Sequence, residues 1–351
     1  MRVLVVGCGS MSASHARAYQ KIEGFEIAGL VSRRPESREA LNQALGGGLP
    51  LFSSFEDGLT DVRPEVVSIN TFPDTHAGYA IRAFLAGAHV FLEKPLAVTA
   101  ADAQAVVTAA NQAGRKLVVG YILRHHPSWM RFIEVARTLG KPLVMRMNLN
   151  QQSSGPAWQT HRGLLESASP LVDCGVHYVD VMCQMTGARP LRVYAIGARL
   201  TDQIDPAMYN YGQLQVVFDD GSVGWYEAGW GPMVSETATF IKDVIGPLGS
   251  VSITSGSGLR SDDLSGHTRV GRLLLHPAET DESGRFAQAD RVFDLSDEPG
   301  HDELCEREQR FLLRAIREDL DLSAHLADAV NSLRIVLAAD QSIRSGQVVE
   351  L

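Results

Sequence analysis

The chain opens with the stretch Val3-Leu4-Val5-Val6-Gly7-Cys8-Gly9-Ser10-Met11-Ser12, in which four apolar residues run directly into a glycine turn. Apolar, largely β-branched residues predict a buried strand, and a helical pattern follows the turn at residues 11–21. A strand, a tight turn and a helix in this order begin a strand–helix–strand unit. The stretch therefore predicts a parallel sheet with helical crossovers.

The same alternation continues to residue 120. Strand-like runs occur at 2–6, 26–31, 65–70, 88–92 and 116–120, and helical patterns occur at 11–21, 35–45, 74–86 and 99–113. Right-handed crossovers between such strands place helices on both faces of one parallel sheet. We therefore predict an α/β fold whose first domain, residues 1–122, is doubly wound.

The pattern changes after residue 123. A helix is predicted at 127–138, strands at 143–150, 191–199, 212–218, 222–230, 236–243 and 249–254, and further helices at 171–186, 302–318 and 323–345. Asp219-Asp220-Gly221 predicts a hairpin, and the Gly-, Ser- and Asp-rich stretch 255–268 predicts a loop. Residues 123–351 are thus predicted to form a second, α+β domain with a large open mixed sheet, whose final helix can pack back on the first domain.

Size and composition exclude several classes of protein. The chain has 351 residues, more than a single core usually holds, and its formal net charge of −9 argues against binding to nucleic acid or anionic membranes. No apolar run approaches the roughly 20 residues of a membrane span, and the strand-like start at Arg2 leaves no room for a signal peptide. The four cysteines show neither a disulfide framework nor metal spacing, so we expect a cytoplasmic protein with free thiols.

The glycine turn has the spacing of a dinucleotide phosphate loop. Gly7 permits the tight bend and Gly9 lets the backbone approach a pyrophosphate, while Ser12 replaces the usual third Gly or Ala. Ser10 and Met11 follow at a helix amino terminus, where backbone amides and a partial positive charge favour phosphate. Because the loop lies inside a strand–helix–strand unit, we expect it to bind a dinucleotide cofactor.

The second strand ends in Val31-Ser32-Arg33-Arg34, where NAD-binding sites usually carry an acidic residue for the ribose hydroxyl. Without that carboxylate, nothing at this position repels a 2′-phosphate. Ser32 can donate a hydrogen bond, and Arg33 and Arg34 offer a charged fork or a face for adenine. We therefore favour NADP over NAD, with a solvated arginine pair at the head of a helix as the alternative.

Five further stretches are similar to one known family. They are Asn70-Thr71-Phe72-Pro73-Asp74-Thr75-His76, Ala86 to Ala97 with its Glu93-Lys94-Pro95, Val119-Gly120-Tyr121, Leu171 to Asp180, and Ser342 to Val349. Together they resemble the Gfo/Idh/MocA oxidoreductases, a family that includes glucose-fructose oxidoreductase and inositol dehydrogenase. The resemblance covers nearly the whole chain, and its Glu-Lys-Pro and Asp-x-Gly-x-His elements are fairly specific when they occur together.

The resemblance implies a Rossmann domain followed by an α/β domain whose open sheet is commonly used to form dimers or tetramers. It also implies that Lys94, Asp173 and His177 correspond to the family's catalytic lysine, aspartate and histidine. Within the resembling stretches, the residues expected to contact the cofactor are Thr71, Pro73, His76, Glu93 and Lys94.

These three catalytic candidates suit hydride transfer to or from an alcohol carbon. His177 can take up or return the hydroxyl proton near neutral pH, and it lies four residues after Asp173, on the same side of a helical turn. Lys94 can stabilise the developing alkoxide, and Asp173 can hold the substrate hydroxyl or orient its neighbours. Each also suits a structural role: Lys94 as a surface lysine, Asp173 as a helix cap and His177 as a packed histidine.

Four more residues are weaker candidates for a substrate pocket. Tyr121 and Arg124 follow the strand at 116–120, and Trp158 and His161 lie in a segment that the sequence predicts to be irregular. Aromatic faces and polar forks suit a sugar ring, although the tryptophan suits a packed interior equally well.

A metal site is the chemical alternative at this point of the chain. Asp173, Cys174 and His177, with His161, include residue types that bind zinc. Their spacing is not that of a standard zinc site, and the chain has no second cysteine pair to complete one. We therefore expect no bound metal.

The sequence thus predicts an NAD(P)-dependent oxidoreductase for a secondary alcohol or ketone of a sugar, cyclitol or related polyol. We expect a homodimer or homotetramer that binds neither nucleic acid nor membranes. A redox-neutral enzyme that cleaves glycosides or interconverts sugars with a bound nicotinamide cofactor is one alternative. A non-enzymatic NAD(P)-binding regulator of the same fold is the other, and it has little need of Lys94, Asp173 and His177 together.

Overall fold

The computed structural model describes residues 1–236, 240–254, 260–262, 268–295 and 298–351. The chain divides into two compact units, each built from two segments. The first unit contains Met1–His125 and Pro299–Val330, and the second contains His126–Glu298 and Asn331–Leu351. Each unit contains a sheet of its own.

The elements are numbered in chain order. The strands are β1 (Arg2–Val6), β2 (Glu26–Val31), β3 (Leu51–Phe52), β4 (Val66–Ile69), β5 (His89–Leu92), β6 (Leu117–Val119), β7 (Val144–Gln152), β8 (Pro190–Ala198), β9 (Tyr211–Phe218), β10 (Val223–Gly231), β11 (Lys242–Gly246), β12 (Gly249–Ile253), β13 (Gly271–Pro277), β14 (Arg291–Leu295) and β15 (Val349–Glu350). The α-helices are α1 (Ser10–Lys21), α2 (Pro35–Ala44), α3 (Phe55–Val62), α4 (Pro73–Leu85), α5 (Ala100–Ala113), α6 (Pro127–Arg137), α7 (Gly155–Leu164), α8 (Pro170–Asp173), α9 (Gly175–Thr186), α10 (His301–Arg317) and α11 (Ser323–Ser345). A turn of 3₁₀-helix, Ile122–His125, follows β6.

The first unit contains a six-stranded parallel sheet with the order β3-β2-β1-β4-β5-β6. The predicted strands and helices of the first 120 residues are confirmed to within two residues at each end. Its inner strands are largely apolar because both faces are covered, and Val3, Leu4 and Val5 are fully buried. The winding reverses between β1 and β4, so the carboxyl ends of these strands border a crevice.

Two elements of this unit, β3 and α3, are not predicted from the sequence. β3 has only two residues and therefore shows no periodicity. α3 carries Gly58 in its middle, which weakens its helical pattern. A Cβ at Gly58 would lie 2.9 Å from Val31 and 3.3 Å from Leu4, so glycine allows α3 to pack closely on the sheet.

Residues 299–330 complete the first unit. The hydroxyl of Tyr19 on α1 donates a hydrogen bond to Gln309 on α10 (2.6 Å). At the start of α11, His325 Nε2 accepts a hydrogen bond from the backbone N–H of Val119 on β6 (3.0 Å). The helix α10 and the first turns of α11 therefore take part in the fold of the first unit.

The second unit contains a nine-stranded mixed sheet with the order β14-β13-β12-β11-β7-β10-β9-β8-β15. β7 and β10 are parallel neighbours, and the other pairs are antiparallel. Asp219-Asp220-Gly221 joins β9 to β10, which confirms the predicted hairpin. The predicted fold class, a doubly wound parallel sheet plus a large mixed sheet, is confirmed.

The second sheet differs from the prediction in its strands. The predicted strand 236–243 is wrong in its bounds, because β11 begins at Lys242 and residues 237–239 lie outside the described residues. β13 and β14 are not predicted, since charged residues interrupt both strands and the chain between them. Most of the predicted loop 255–268 falls on 255–259 and 263–267, which also lie outside the described residues.

The helices of this unit differ from the prediction at two places. α7 forms in the segment predicted to be irregular, with Pro156 in its first turn. The predicted helix 171–186 is interrupted at Cys174, where α8 ends and α9 begins. The interruption separates Asp173 from His177.

One face of the second sheet is covered by helices. Tyr178 of α9 stacks on Tyr226 of β10 with ring centroids 5.2 Å apart. On β8, the side chain of Val193 is buried, whereas those of its neighbours Tyr194 and Ile196 are 42% and 46% exposed. Among the described residues, the β8 side chains on the other face of the sheet, the open face, are thus exposed. None of the described helices combines the length and the apolar character that a membrane span requires.

Candidate functional site

The glycine turn joins β1 to α1 at the carboxyl edge of the first sheet. Gly7 has φ +92°, a conformation that favours glycine, and a Cβ there would lie 2.4 Å from the backbone oxygen of Asn70. Its N–H donates to the carbonyl of Val31 at the end of β2 (2.9 Å). Gly7 is therefore required by the close approach of three strand ends.

The start of α1 is suited to an anion. Gly9 is its N-cap, no side chain among the described residues caps it, and its first turn contains no acidic residue. A Cβ at Gly9 would meet nothing within 4 Å, so the space beside this backbone is open. Ser12 is fully buried, and its Oγ has no hydrogen-bond partner in the described part of the chain. The uncapped amides and the helix dipole fit a bound phosphate.

A cavity of about 530 Å³ borders this helix terminus. Its walls come from the ends of β1, β2, β3 and β4 and from the starts of α1 and α4. The predicted cofactor residues that line it are Gly7, Gly9, Ser10, Met11, Ser32, Arg33, Arg34 and Thr71. Its size is in the usual range for small-molecule sites, and its position at the carboxyl edge of a parallel sheet is where dinucleotides bind.

The outer end of the cavity is rich in hydroxyl groups and charge. Ser32 accepts a hydrogen bond from the N–H of Arg34 (3.3 Å), and its carbonyl accepts one from Arg38 (2.7 Å). Glu56 also lines the cavity and forms an ion pair with Arg82. The carboxylate charge at this end is therefore compensated, and arginine cations are left near Ser32.

Several lining residues are missed by the sequence analysis. Ser37 on α2, Ser53 and Ser54 after β3, and Tyr79 on α4 all border the cavity. Ser54 also caps α3 by accepting a hydrogen bond from the N–H of Asp57 (3.3 Å). Recognition of β3 would have placed the serines at the same sheet edge as the glycine turn.

Pro73 and His76, two further cofactor candidates, lie outside the lining of the cavity. Pro73 begins α4, and His76 is buried with Nδ1 2.8 Å from the carbonyl oxygen of Pro95 and Nε2 3.0 Å from that of Thr71. Burial lowers the pKa of His76, although the two carbonyls oppose this shift. A neutral imidazole can donate to only one of these carbonyls at a time, and the ring of His76 lies between the loop after β4 and the loop after β5.

Glu93 and Lys94 directly follow β5 at the edge that carries the glycine turn. Glu93 is buried, with Oε1 2.7 Å from Nε2 of His15, and its Oε2 accepts the backbone N–H of Lys94 (3.1 Å). Lys94 is half-buried, and the Lys94-Pro95 peptide bond is cis. Both residues lie outside the lining of the glycine-turn cavity.

Tyr121 and Arg124 lie at the end of the Met1–His125 segment. Tyr121 is fully buried. Arg124 donates to Asp328 on α11 (2.9 Å), and its guanidinium lies 5.9 Å from the Tyr121 ring. The charge of Arg124 is therefore balanced within the first unit.

Asp173 and His177 lie on either side of the break between α8 and α9. Asp173 is the last residue of α8, and His177 belongs to the first turn of α9, where its N–H donates to Cys174 O (3.2 Å). The cap of α8 is Ser169, which accepts the N–H of Val172 (3.2 Å). The α9 cap position is Cys174. Asp173 therefore caps neither helix.

Trp158 and His161 are packed in the interior of the second unit, each 5% exposed. His161 stacks on Trp230 with centroids 4.5 Å apart and an interplanar angle of 9°, and its Nδ1 lies 2.9 Å from Ser153 Oγ. Burial lowers the pKa of His161, and the charge of Asp173 opposes that shift. Asp173 therefore acts electrostatically on His161.

Within the described ranges, one group of possible metal ligands has donor atoms that lie within 4.8 Å of one another. It consists of His15, Cys305 and Glu308, all buried. The zinc alternative considered at Asp173, Cys174 and His177 does not form such a group.

Two family models match the chain. One, described as oxidoreductase family, NAD-binding Rossmann fold, matches residues 1–121, and the other, the GFO/IDH/MocA C-terminal domain, matches residues 133–246. Inositol 2-dehydrogenase of Salmonella paratyphi B is 27% identical over 182 residues, which cover 51% of this chain and 52% of that protein. The chain thus spans about half the length of the first of the curated relatives it matches.

Two longer similarities extend over most of the chain. Inositol 2-dehydrogenase 2 of Saccharopolyspora erythraea is 27% identical over 299 residues, which cover 83% of this chain and 82% of that protein. The structure of scyllo-inositol dehydrogenase from Lactobacillus casei with NAD(H) and scyllo-inositol has a TM-score of 0.78 at 18% identity, covering 100% of this chain and 98% of that one, and shows the same fold. With models of this family matching residues 1–121 and 133–246, the chain belongs to the Gfo/Idh/MocA family of oxidoreductases.

Proposed function

We propose that the protein transfers a hydride between a nicotinamide cofactor and a secondary alcohol or ketone of a cyclitol, sugar or related polyol. The cavity at the glycine turn carries this proposal, because its uncapped helix terminus and open backbone suit a dinucleotide pyrophosphate. The inositol dehydrogenases among its relatives support a cyclitol or related polyol as substrate.

The residues of the chain have separate roles in this proposal. Gly7, Gly9 and the first amides of α1 hold the pyrophosphate of the cofactor, which when bound supplies the hydride acceptor or donor. Lys94 donates a hydrogen bond to the reacting oxygen and stabilises its negative charge. His177 takes the hydroxyl proton during oxidation and returns it during reduction, while Asp173 orients the hydroxyl.

We further propose that the protein prefers NADP. Ser32, Arg33 and Arg34 line the outer end of the cavity, and the acidic residue that binds the ribose hydroxyl in NAD sites is missing from this strand end. The one carboxylate near them that we find in the described lining, Glu56, is paired with Arg82. A 2′-phosphate therefore meets donors and cations at Ser32 and its neighbours.

Substrate contact stays a prediction for four further residues, Tyr121, Arg124, Trp158 and His161. The burial of Tyr121, Trp158 and His161, and the ion pair of Arg124 with Asp328, favour a supporting role within each unit. We also propose a homodimer or homotetramer, which the open face of the nine-stranded sheet supports.

The test is an absorbance assay with a panel of inositols, aldoses and polyols, each with NAD⁺ and with NADP⁺. We expect turnover with a cyclitol or sugar and a higher kcat/KM with NADP⁺. Lys94→Met and His177→Ala should each lower kcat by about 10²- to 10⁴-fold with little change in cofactor affinity, because they remove transition-state stabilisation and acid–base catalysis. The exposed Lys21→Met is the control.

Three results would contradict the proposal. Full activity in both variants would remove Lys94 and His177 from the mechanism. Product formation without net change in cofactor absorbance would indicate redox-neutral chemistry. Cofactor binding without turnover of any compound, together with a stable protein complex, would indicate a regulator.

A further inference from the structure

A chain of buried hydrogen bonds leads from α1 and α10 to the turn after β5. Tyr19 Oη lies 2.6 Å from Gln309 Oε1, and Gln309 Nε2 lies 3.0 Å from His15 Nδ1. His15 Nε2 lies 2.7 Å from Glu93 Oε1. The first three side chains are fully buried and Glu93 is 8% exposed, so water cannot replace a lost partner. Breaking a bond in such an interior leaves an unpaired group.

Each hydrogen bond in this series is donated in the same direction, from Tyr19 toward Glu93. The Tyr19 hydroxyl donates to the amide oxygen of Gln309, which leaves the NH₂ group of Gln309 facing His15, and an NH₂ group can only donate. Nδ1 of His15 must therefore accept, so its ring is neutral and carries its proton on Nε2. That proton is donated to Glu93. Burial raises the pKa of Tyr19, which keeps the first donor protonated.

The far end of the chain is the backbone of Lys94. Glu93 accepts from His15 with Oε1 and from the Lys94 N–H with Oε2 (3.1 Å). Burial, reinforced by the charge of Glu93, raises the pKa of the neighbouring Glu308. Burial therefore disfavours the charged form of Glu308. A carboxylate in such an interior depends on its hydrogen-bond donors, and His15 is one of them.

We propose that Tyr19, Gln309 and His15 are positioning residues that fix the Glu93 carboxylate and, through it, the main chain at Lys94. The inference rests on the proposed function, since it concerns the orientation of Lys94 toward a reacting oxygen. This positioning role requires a hydrogen-bond donor at one atom, Nε2 of His15. A residue that only packed in the interior would not need a donor at that atom.

An ion held by His15, Cys305 and Glu308 is the competing explanation of this cluster. Both ring nitrogens of His15 already have hydrogen-bond partners, in Gln309 and Glu93. An ion on either nitrogen would displace one of these bonds. The geometry therefore favours the hydrogen-bonded chain.

Two substitutions at His15 form a matched pair. Glutamine places an amide nitrogen near the Nε2 position, whereas asparagine reaches only the Nδ1 position. We expect His15→Asn to lower kcat about 10- to 100-fold, because a small misplacement of a catalytic group costs that much. His15→Gln should keep kcat within about fivefold of wild type, and both should keep the cofactor KM within about twofold, since no member of the chain lines the cofactor cavity.

Asp302→Asn is the control. Asp302 on α10 accepts a hydrogen bond from Ser14 on α1 (2.7 Å). The substitution therefore weakens contact between the same two helices without altering any hydrogen bond in the series from Tyr19 to Lys94. We expect its kcat to stay at the wild-type level. Equal losses in His15→Gln, His15→Asn and Asp302→Asn, or stoichiometric zinc in the purified protein, would overturn the proposal.

The tautomer of His15 gives a readout that needs no turnover. In the NMR spectrum of ¹⁵N-histidine-labelled protein, the signal of His15 is the one that both His15 variants lack. This signal should be that of a neutral ring protonated at Nε2. A His15 ring protonated at Nδ1 would contradict the proposed series of hydrogen bonds. If wild-type protein shows no turnover while the Nε2-protonated ring is present, the proposed function fails and the hydrogen-bonded chain stands.

Discussion

In the phosphate turn, glycine serves a different physical purpose at each of two positions, Gly7 and Gly9. Gly7 is needed by the fold, because its positive φ and the backbone of Asn70 leave no room for a Cβ. Gly9 has φ −87° and open space beside it, so the fold alone would accept alanine there. We propose that glycine at this position serves a ligand that approaches the backbone.

The pair Gly7→Ala and Gly9→Ala should therefore separate stability from binding. Gly7→Ala should lower the thermal midpoint by about 5 °C or more, because it strains the turn against a backbone atom. Gly9→Ala should leave the midpoint within about 1 °C but raise the cofactor Kd about tenfold or more, a loss of about 1.4 kcal/mol in binding. Scanning calorimetry and fluorescence titration measure the two effects.

Gly163→Ala is the control, since it lies in α7 with nothing within 4 Å of its Cβ position. A Gly9→Ala protein that binds cofactor as tightly as wild type would mean that no phosphate lies at this backbone.

Local patterns predict individual site residues where the chemistry follows a short motif. Gly7, Gly9 and Ser32 could be found because each follows the end of a recognisable strand, and all three line the cavity. The link from His15 to Gln309 could not be found, because 294 residues separate the two side chains and no periodicity connects them. Contacts of this range depend on how helices pack, which a single sequence does not encode in any short stretch.

At the scale of elements, the hairpin between β9 and β10 shows what a correct turn prediction omits. The sequence indicates the turn through Asp219-Asp220-Gly221, but not the partners of Asp220. Its carboxylate accepts from Lys141 Nζ (2.8 Å) and from the N–H of Ser222 (2.9 Å). Burial raises its pKa, but the hydrogen bonds from Lys141, Thr186 and Ser222 outweigh this and bring it to about 2.

Asp220→Asn should therefore destabilise the protein in a pH-dependent way. The pKa of Asp220 is lower in the folded than in the unfolded chain, so its contribution is present above about pH 4 and is lost as the pH falls toward 2. We expect a decrease of about 1 kcal/mol in unfolding free energy near pH 7, reduced for the partial exposure of the pair. The difference should shrink between pH 4 and pH 2 in urea unfolding followed by circular dichroism.

Asp202→Asn is the matched substitution, because the Asp202 side chain is fully exposed in its pair with Arg199. It should leave the unfolding curve unchanged at every pH. An Asp220→Asn effect of the same size at pH 7 and pH 2.5 would assign the loss to packing of the turn instead of its charge.

At the scale of the whole molecule, the open face of the second sheet bears on self-association. Tyr194 and Ile196 lie on it next to each other along β8, and Trp225 of β10 donates to Gln213 of β9 (2.8 Å) on the same side. An extended, partly apolar sheet face of this kind is a common site of self-association. This face supports the proposed homodimer or homotetramer.

Ile196→Glu should weaken that assembly, because it places a charge on the contact surface. Light scattering after size exclusion should show a dimer or tetramer for wild type at micromolar concentration and a smaller species for the variant. Leu85→Glu, at an 81% exposed position of the first unit, should leave the assembly intact. A monomeric wild-type protein would contradict the proposal.

Fold prediction succeeded where periodicity was strong and failed where elements were short or broken. The alternation of strand and helix over the first 120 residues gave the order of elements in the first sheet. Neither the two-residue β3 nor the break at Cys174 shows in the sequence pattern. β3 is too short to show a period. At Cys174 the side-chain types continue without change across the break. The nine-strand order also depends on pairings between distant segments, as between β7 and β10.

The placement of residues 299–330 has a consequence for how the protein is made. Gln309 and His325 reach the ribosome exit long after helix α1 and strand β6, which they contact in the first unit. The half that is translated first is therefore completed nearly last, and a nascent chain stalled before residue 299 still lacks α10. During synthesis, Tyr19 and His15 therefore lack their hydrogen-bond partner on α10 until Gln309 has been added to the growing polypeptide.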